Sequence, residues 1–505
     1  MTPVQDSRID AVTAVSSEPG KWETDSAGAV QAPARRRGVF SALATSEWAV
    51  GLAILAIDVV SWILIYGVIS YLRRDNFLVG PFEFLLVDVI QLAVICQALF
   101  MIGGYDRNND TRTLTYMAEH ILAIAGAAAV SSLLVYAAAT FDSSMKPSRS
   151  AVLLSFLIFL PWSLVYRRVI HRFLAESTAG RAFLVIGSGE LAARFYDAYR
   201  RSPNRQRLEF VDIEKERLGE HIAGDGSPII EGDLEAKLAN LNDRYSGVVL
   251  AERVDRIRPE LLERLVRTQF QRTRVYTLES FYEAHWRHVP VHSIDPFWPL
   301  QMGFQLARNS PYHYLKRLFD VVLSSVLLVI CSPLLVALTL LIWVTSGWPA
   351  IFRQPRVGRE GELFTVFKFR TMRAEVASEE AADIYTREGD PRITRAGRWL
   401  RKLRLDELPQ LFNVLRGDMS LIGPRAEWIK CAERYERKIP FYHFRHLVKP
   451  GITGWAQVNY PYGESDEDAV EKLKYDLYYI RHYSLKLDAM IVLKTVHTVL
   501  FGKGR

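Results

Sequence analysis

The sequence predicts a membrane α-helical front half of four transmembrane helices. A cytoplasmic Rossmann-like α/β domain follows, then a re-entrant helix and a mixed α/β domain dense in candidate catalytic residues. Three observations carry this. Long apolar runs alternate with highly charged segments. A short apolar strand at 181–186 runs into a glycine turn that opens a helix. Two adjacent carboxylates, Asp406 and Glu407, lie in an arginine-rich stretch downstream of an apolar segment interrupted by Ser332-Pro333.

The 505 residues leave room for several domains. A mean hydropathy of +0.03 is high for a chain that is 24% charged. The net charge is +7, and the basic residues gather beside apolar runs and inside one domain. That distribution fits anionic lipid heads and phosphorylated substrates; no nucleic-acid partner is expected. Cys96, Cys331 and Cys431 are scattered, with neither zinc spacing nor a disulfide framework.

Residues 1–38 lack hydrophobic periodicity and predict a disordered tail. The tail ends in Arg35-Arg36-Arg37, before an apolar run from Trp48 to Leu72 that is too long for a signal-peptide core. Further runs at 82–103, 116–141 and 150–170 each approach or exceed the ~20 residues needed to span a bilayer. Residues 39–175 are therefore expected to form a four-helix transmembrane domain. Arg35–Arg37 before it and Arg167, Arg168, His171 and Arg172 after it place both flanks in the cytoplasm; Arg73 and Arg74 oppose this. Asp58, Glu83, Asp88 and Glu119 share no spacing, which predicts interhelical hydrogen bonds or interfacial placement in preference to a polar pathway.

Residues 176–305 are expected to form the Rossmann-like domain. Gly187-Ser188-Gly189-Glu190-Leu191-Ala192 is the G-x-G-x-x-A form of the dinucleotide fingerprint, set between strand and helix. Strands at 208–213, 246–251 and 274–277 and a helix at 258–269 complete the alternation. Gly187 and Gly189 would admit a phosphate to the helix N-terminus, with Asp212 near ribose-binding distance. Equally, the glycines could serve only a tight turn in a scaffold without a cofactor. No Tyr-x-x-x-Lys hydride-transfer constellation follows.

The apolar segment 318–344 is long enough to cross the bilayer, but proline removes a helical hydrogen bond and clashes with the preceding turn. A helix–break–helix that enters and returns on the cytoplasmic side is expected; a kinked full crossing is the alternative. Beyond it, the alternation in Phe364–Met372 suggests a strand presenting Lys368 and Arg370 on one face. Asp390-Pro391-Arg392-Ile393-Thr394, a basic helix at 395–402, Arg404–Gln410, Gly423-Pro424-Arg425 and Lys449–Asn459 follow. Carboxylates among arginines suggest phosphate chemistry, with arginine holding oxygens while a carboxylate attacks or carries a metal. His443 and His446 lack a third ligand at matching spacing, so surface or lipid-head contact is expected there. Leu485–Phe501 reads as an amphipathic helix, either on the membrane surface or packed into the domain core.

These motifs resemble the bacterial sugar transferase family, the polyprenyl-phosphate hexose-1-phosphate transferases, over residues 311–505. The front half is similar in architecture to the long subgroup, the undecaprenyl-phosphate glucose or galactose phosphotransferases. The resemblance implies transfer of a sugar-1-phosphate from a UDP-sugar to undecaprenyl phosphate, with Mg2+ required and UMP released. It implies initiation of exopolysaccharide, capsule or O-antigen synthesis at the bacterial inner membrane, with a homo-oligomer and other polysaccharide-assembly proteins as further partners to test. Asp406 is implied as nucleophile or metal-linked carboxylate, and Glu407 as magnesium ligand or positioning group. Lys368, Arg370, Arg392, Arg404, Arg425 and Gln457 would bind substrate. Direct attack by the lipid phosphate is the mechanistic alternative. The family's Pro-Arg-Pro here ends in Ala426, which puts the rigidity of that turn in question.

Overall fold

A computed structural model describes residues 47–500 apart from 75–81, 107–108, 110, 142–148, 179, 203–205, 240, 254–255, 272, 295–297, 301–303, 305–309, 374–389, 391, 461–462 and 464. The tail at 1–38, with Arg35–Arg37, lies outside the described residues, as do the side chains of Arg73, Arg74, Glu83 and Asp88.

The front half forms four helices: α1 (Glu47–Arg74), α2 (Phe82–Met101), α3 (Leu114–Phe141) and α4 (Arg149–Thr178). Among the described residues, four helices are long and apolar enough to cross a membrane. They are Trp48–Leu72, Leu114–Ala137, Ser150–Glu176 and Tyr312–Ser346; in α2 the described apolar stretch is the shorter Val89–Met101. Trp62, Leu99, Ile124 and Phe159 fill the bundle interior, while Leu64, Leu133 and Leu157 face outward. The interhelical reading of Asp58 holds. The buried Arg167 Nη1 donates to it at 2.9 Å and the Tyr166 hydroxyl also donates, tying α1 to α4.

Next come β1 (Ala182–Ile186), α5 (Glu190–Arg201), β2 (Arg207–Val211), β3 (Ile230–Glu231), α6 (Leu234–Ala239), β4 (Tyr245–Leu250), α7 (Pro259–Gln271), β5 (Val275–Thr277) and α8 (Leu278–Trp286). The five strands are all parallel, in the order β3-β2-β1-β4-β5. All five residues of β1 are buried, so the sheet is covered on both faces. The two-residue β3 carries too little pattern to be read from sequence.

The unit ends earlier than the expected 305. Val289, Val291, Trp298 and Phe304 pack in one core with Tyr442, Trp455, Leu477 and Ile491. The Val289 amide also donates to the Lys474 carbonyl at 3.1 Å. Apolar anchors in a segment with no regular periodicity gave no sign of which core they join.

The expected break at Ser332-Pro333 is absent: α9 (Tyr312–Ser346) is one 35-residue helix with Pro333 inside it. Pro333 cannot donate to the carbonyl of Val329, four residues back. The Ser332 hydroxyl donates to that carbonyl instead, at 2.8 Å. The serine thus offsets the hydrogen bond that proline forfeits, and helix continues through the pair.

Past α9 lie β6 (Ile351–Val357), β7 (Leu363–Phe369), α10 (Arg395–Lys402), α11 (Gln410–Arg416), β8 (Ser420–Ile422), α12 (Ile429–Lys438), β9 (Gly451–Thr453), α13 (Trp455–Asn459), α14 (Asp466–Arg481) and α15 (Leu485–Leu500). β6 and β7 form an antiparallel hairpin, and β8 and β9 a parallel pair. Of the two readings of the C-terminal segment, the core one holds. Leu487, Met490 and Ile491 of α15 are buried in the domain core, Leu493 packs on the bundle core, and Lys494 pairs with Glu119 at 3.2 Å. The helix is thus held by two partners, while Val492, Val496 and Val499 stay exposed along its remaining face.

Asn413 pins α11 to β7. Its fully buried amide donates to the Thr365 carbonyl at 2.7 Å and accepts from the Phe367 amide at 3.0 Å. Asn413→Leu leaves both backbone groups buried without partners. A loss of about 2–4 kcal/mol is expected from stranding them, read as a lower denaturation midpoint. An unchanged midpoint would show the clasp to be dispensable.

Candidate active site

Asp406 and Glu407 sit on a single 3-10 turn, Leu405–Glu407, between α10 and α11. Arg404 enters that turn with φ 53°, a left-handed backbone uncommon outside glycine. Glu407 is buried. The Lys368 ammonium donates to its Oε1 at 2.9 Å, and Arg425 Nη1 lies 3.5 Å from the same oxygen. Burial alone would raise the Glu407 pKa; Lys368 first, then Arg425 and Arg404, hold it down at about 2. Lys368 is itself pushed down, by burial foremost and by Arg425 and Arg356, against the pull of Glu407.

Asp406 moves the other way. Burial, then the neighbouring Glu407 charge, raises it above the ordinary aspartate value, against Lys368 and Arg401. Two adjacent carboxylates thus differ in character: one ionised and paired, the other more basic. Among the described residues no cation lies within ion-pair distance of Asp406.

Lys368 and Arg425 line a small pocket with Arg356, Gln410, Met419 and Ile452. Gln410 closes the Arg404–Gln410 motif but is not among the expected site residues, and neither is Arg356. Arg401 was passed over as one of several basic residues on α10. Its Nε donates to Thr371 Oγ1 at 2.9 Å, which fixes it near Asp406. The Met372–Ile393 bridge brings α10 to the end of β7, and the Thr394 hydroxyl caps α10 by accepting from Gly397.

Three of the expected substrate contacts, Lys368, Arg404 and Arg425, surround Glu407. The structure does not bring the other three there. The Arg370 guanidinium donates to the Ser346 and Gly347 carbonyls and caps the C-terminus of α9, whose last carbonyls lack helical donors. The expected shared face with Lys368 is lost because β7 ends at Phe369. Arg392 pairs bidentately with Asp390, at 2.9 and 2.5 Å, and holds it below the usual carboxylate range. Gln457 Nε2 donates to the Ile452 carbonyl at 3.0 Å.

His446 is pushed down to about 4, by burial and then Arg445. Among the described residues no cluster of three or more His, Cys, Asp or Glu could hold a metal. At the glycine turn, Gly187 has φ +131° and a Cβ there would meet the Ala251 carbonyl at 2.5 Å, so the backbone itself demands glycine. Gly189 has room: a Cβ would meet only Glu252 Oε2, at 3.7 Å. Asp212 accepts the Arg217 amide at 3.0 Å, and Arg217 donates to the Ser188 carbonyl.

Residues 311–502 match the family described as bacterial sugar transferase. The chain is 41% identical over 261 residues to a UDP-N-acetylgalactosamine-undecaprenyl-phosphate N-acetylgalactosaminephosphotransferase of Aeromonas hydrophila, covering 52% of this chain and 60% of that one. It is 44% identical over 192 residues to the UDP-glucose:undecaprenyl-phosphate glucose-1-phosphate transferase of Escherichia coli K12, covering 38% and 41%. An uncharacterized sugar transferase of Haemophilus influenzae is 32% identical over 385 residues, covering 69% of this chain and 77% of its own length. The chain thus spans 60% and 41% of the first two relatives.

Proposed function

Because this chain belongs to the bacterial sugar transferase family, we propose that it transfers a hexose-1-phosphate from a UDP-sugar to undecaprenyl phosphate, releasing UMP. This step initiates an exopolysaccharide, capsule or O-antigen. The carrying observation is the split pair: a paired, ionised Glu407 beside a more basic Asp406.

Asp406 attacks the phosphorus that bears the sugar. The carboxylate–phosphorus bond forms as the phosphoanhydride bond to UMP breaks, and UMP leaves with that electron pair. A phosphate oxygen of the lipid then attacks the same phosphorus. The polyprenyl diphosphosugar forms and Asp406 is regenerated, so one transfer between anions becomes two steps. Arg425, Arg401 and Lys368 offset the charge of the phosphates. Asp406 and Glu407 suit a magnesium ion, which takes one or two carboxylates together with substrate phosphates. Among the described residues the two cations paired with Glu407, Lys368 and Arg425, engage Oε1, which leaves its second oxygen to such an ion. When bound, magnesium would neutralise phosphate charge and polarise the phosphoryl group.

The assay is UMP release from a panel of UDP-sugars by the purified chain with undecaprenyl phosphate and Mg2+; no release from any of them would refute the reading. The pH profile adds a prediction. The attacking form of Asp406 is ionised, and in the metal-free protein burial and Glu407 raise its pKa, so without Mg2+ its carboxyl, followed by infrared difference spectroscopy against Asp406→Asn, should titrate above 3.8. Glu407, near 2, stays ionised throughout. An Asp406 carboxyl that titrates at or below 3.8 without Mg2+ would contradict the assigned environment.

The same reading places the chain in the bacterial inner membrane, with α9 re-entrant as a helix bent at Pro333 without being broken there, and the transferase domain cytoplasmic. Support comes from both ends of α9. Near its start, Tyr312 donates to Asp488 on α15 at 2.7 Å, and Arg317 donates to the Val414 carbonyl at 2.6 Å. Near its end, Leu338 and Ile342 pack with Phe369 and Leu400. The middle, Val329, Ile330 and Val336, is exposed and apolar. One soluble domain grips both ends, and Lys486 beyond α9 shares Asp106 with Arg287 before it. A single cysteine at Gly347, in a background without native cysteines, is expected to label only from the cytoplasmic side; labelling from outside would overturn the re-entrant arrangement. The parallel strand order supports a Rossmann-like unit.

A further inference from the structure

We infer that Arg445 is a positioning residue for Arg425, acting through the main chain of the turn that carries it. The inference rests on the proposed transfer, in which Arg425 faces Glu407 and the pocket. The turn joins two well-tied stretches. Before it, Ser420 and Gly423 donate to the carbonyls of Pro450 and Thr453, and Gly451 donates to the Pro424 carbonyl. After it, Val357 donates to the Glu427 carbonyl. Between them, guanidinium groups hold two successive carbonyls. Arg445 Nη2 donates to Arg425 O at 3.0 Å, and Arg356 Nη1 donates to Ala426 O at 2.8 Å. A turn without a second proline is thereby fixed from outside by side chains.

Arg445 can do this because it is itself immobilised. It is buried, its Nη2 also donates to the buried Asp476 at 2.9 Å, and its Nη1 donates to the Tyr442 hydroxyl. Glu427, two residues beyond Arg425, lies 3.8 Å from Nη1. A planar fork with several fixed donors can bind a carboxylate and a carbonyl together; an ammonium on a flexible stem cannot hold both in that geometry. Arg445 touches no reacting group, so its effect passes entirely through Arg425.

The test is a coupling measurement in the full chain. Arg445→Lys keeps a positive charge beside Asp476 and loses the fork. It is expected to lower kcat about tenfold with KM for the UDP-sugar changed less than threefold. In an Arg425→Ala background it is expected to lower kcat no further, because the group it positions is gone. A separate tenfold loss in that background would mean that Arg445 serves general stability, and would overturn the inference. Ala426→Pro, which restricts the turn directly, is expected to restore at least half of the lost kcat; no restoration would also count against it. If Arg445→Lys fails to fold, Arg445→Met with Asp476→Leu removes both buried charges together, and the same dependence on Arg425 decides. A wild-type chain that releases no UMP overturns the transfer reading and this inference with it. A working wild type with an undiminished Arg445→Lys overturns the positioning role alone.

Discussion

Asp406→Asn is expected to abolish UMP release while the protein stays folded and in the membrane. The substitution is nearly isosteric, and among the described residues no ion pair to Asp406 is lost with it. It removes the charge proposed to attack phosphorus and one of two candidate metal ligands. Loss of a catalytic nucleophile lowers kcat by roughly 10^4-fold or more. The folded state should gain slightly if it changes at all, because burial and Glu407 already disfavour the aspartate charge. The informative comparison is between UMP release and melting of the same preparation. Substantial release by a well-folded Asp406→Asn protein would exclude both the nucleophilic and the metal-holding role. Trapping decides between covalent and direct transfer: with UDP-sugar and no lipid acceptor, the wild type should acquire a sugar-phosphate adduct on Asp406.

Trp298→Ala is expected to cost about 3–5 kcal/mol, the range for deleting a large buried aromatic. Trp298 is 1% exposed, packs against Phe304 with ring centroids 4.8 Å apart, and carries the Arg481 guanidinium 5.0 Å from its centroid. Its surroundings belong to the transferase core although it precedes the family match. Two truncations follow from this. A chain beginning at Arg287 should keep the core and some transfer activity. One beginning at residue 305 loses Val289, Val291, Trp298 and Phe304 together and should fail to fold. Equal stability of the two would show that the segment is an ornament on the core.

Much of this was legible in the sequence because strong periodicity and special residue types leave local marks. The helix at 395–402 and the strands near 182, 207 and 245 all stand close to where pattern placed them. Side-chain destinations left no such mark. Arg370 and Lys368 are two residues apart and identical in charge character, yet one caps a helix and the other pairs with Glu407. Asp320 sits inside an apolar run and accepts from Ser420 and from the Leu421 amide, a hundred residues away. A lone carboxylate in such a run was a visible signal that went unused. Pro333 misled because its local effect was weighed without the hydroxyl beside it.

The long-range closure of the transferase core also bears on how the chain acquires its structure. The Trp455 indole donates to the carbonyl of Arg287, 168 residues earlier, and α9 lies between them. Contacts of such sequence separation carry a large loop-closure entropy and form late. Under the proposed re-entrant arrangement, insertion of α9 into lipid would precede formation of the core and shorten the remaining search, because it would bring the two ends of α9 near one surface. A ribosome-bound chain halted near residue 440 would hold the bundle and α9 in the bilayer while the Trp298 side chain still lacked Trp455 and α14. Chaperone dependence and protease sensitivity should concentrate in that interval and end once α14 and α15 emerge.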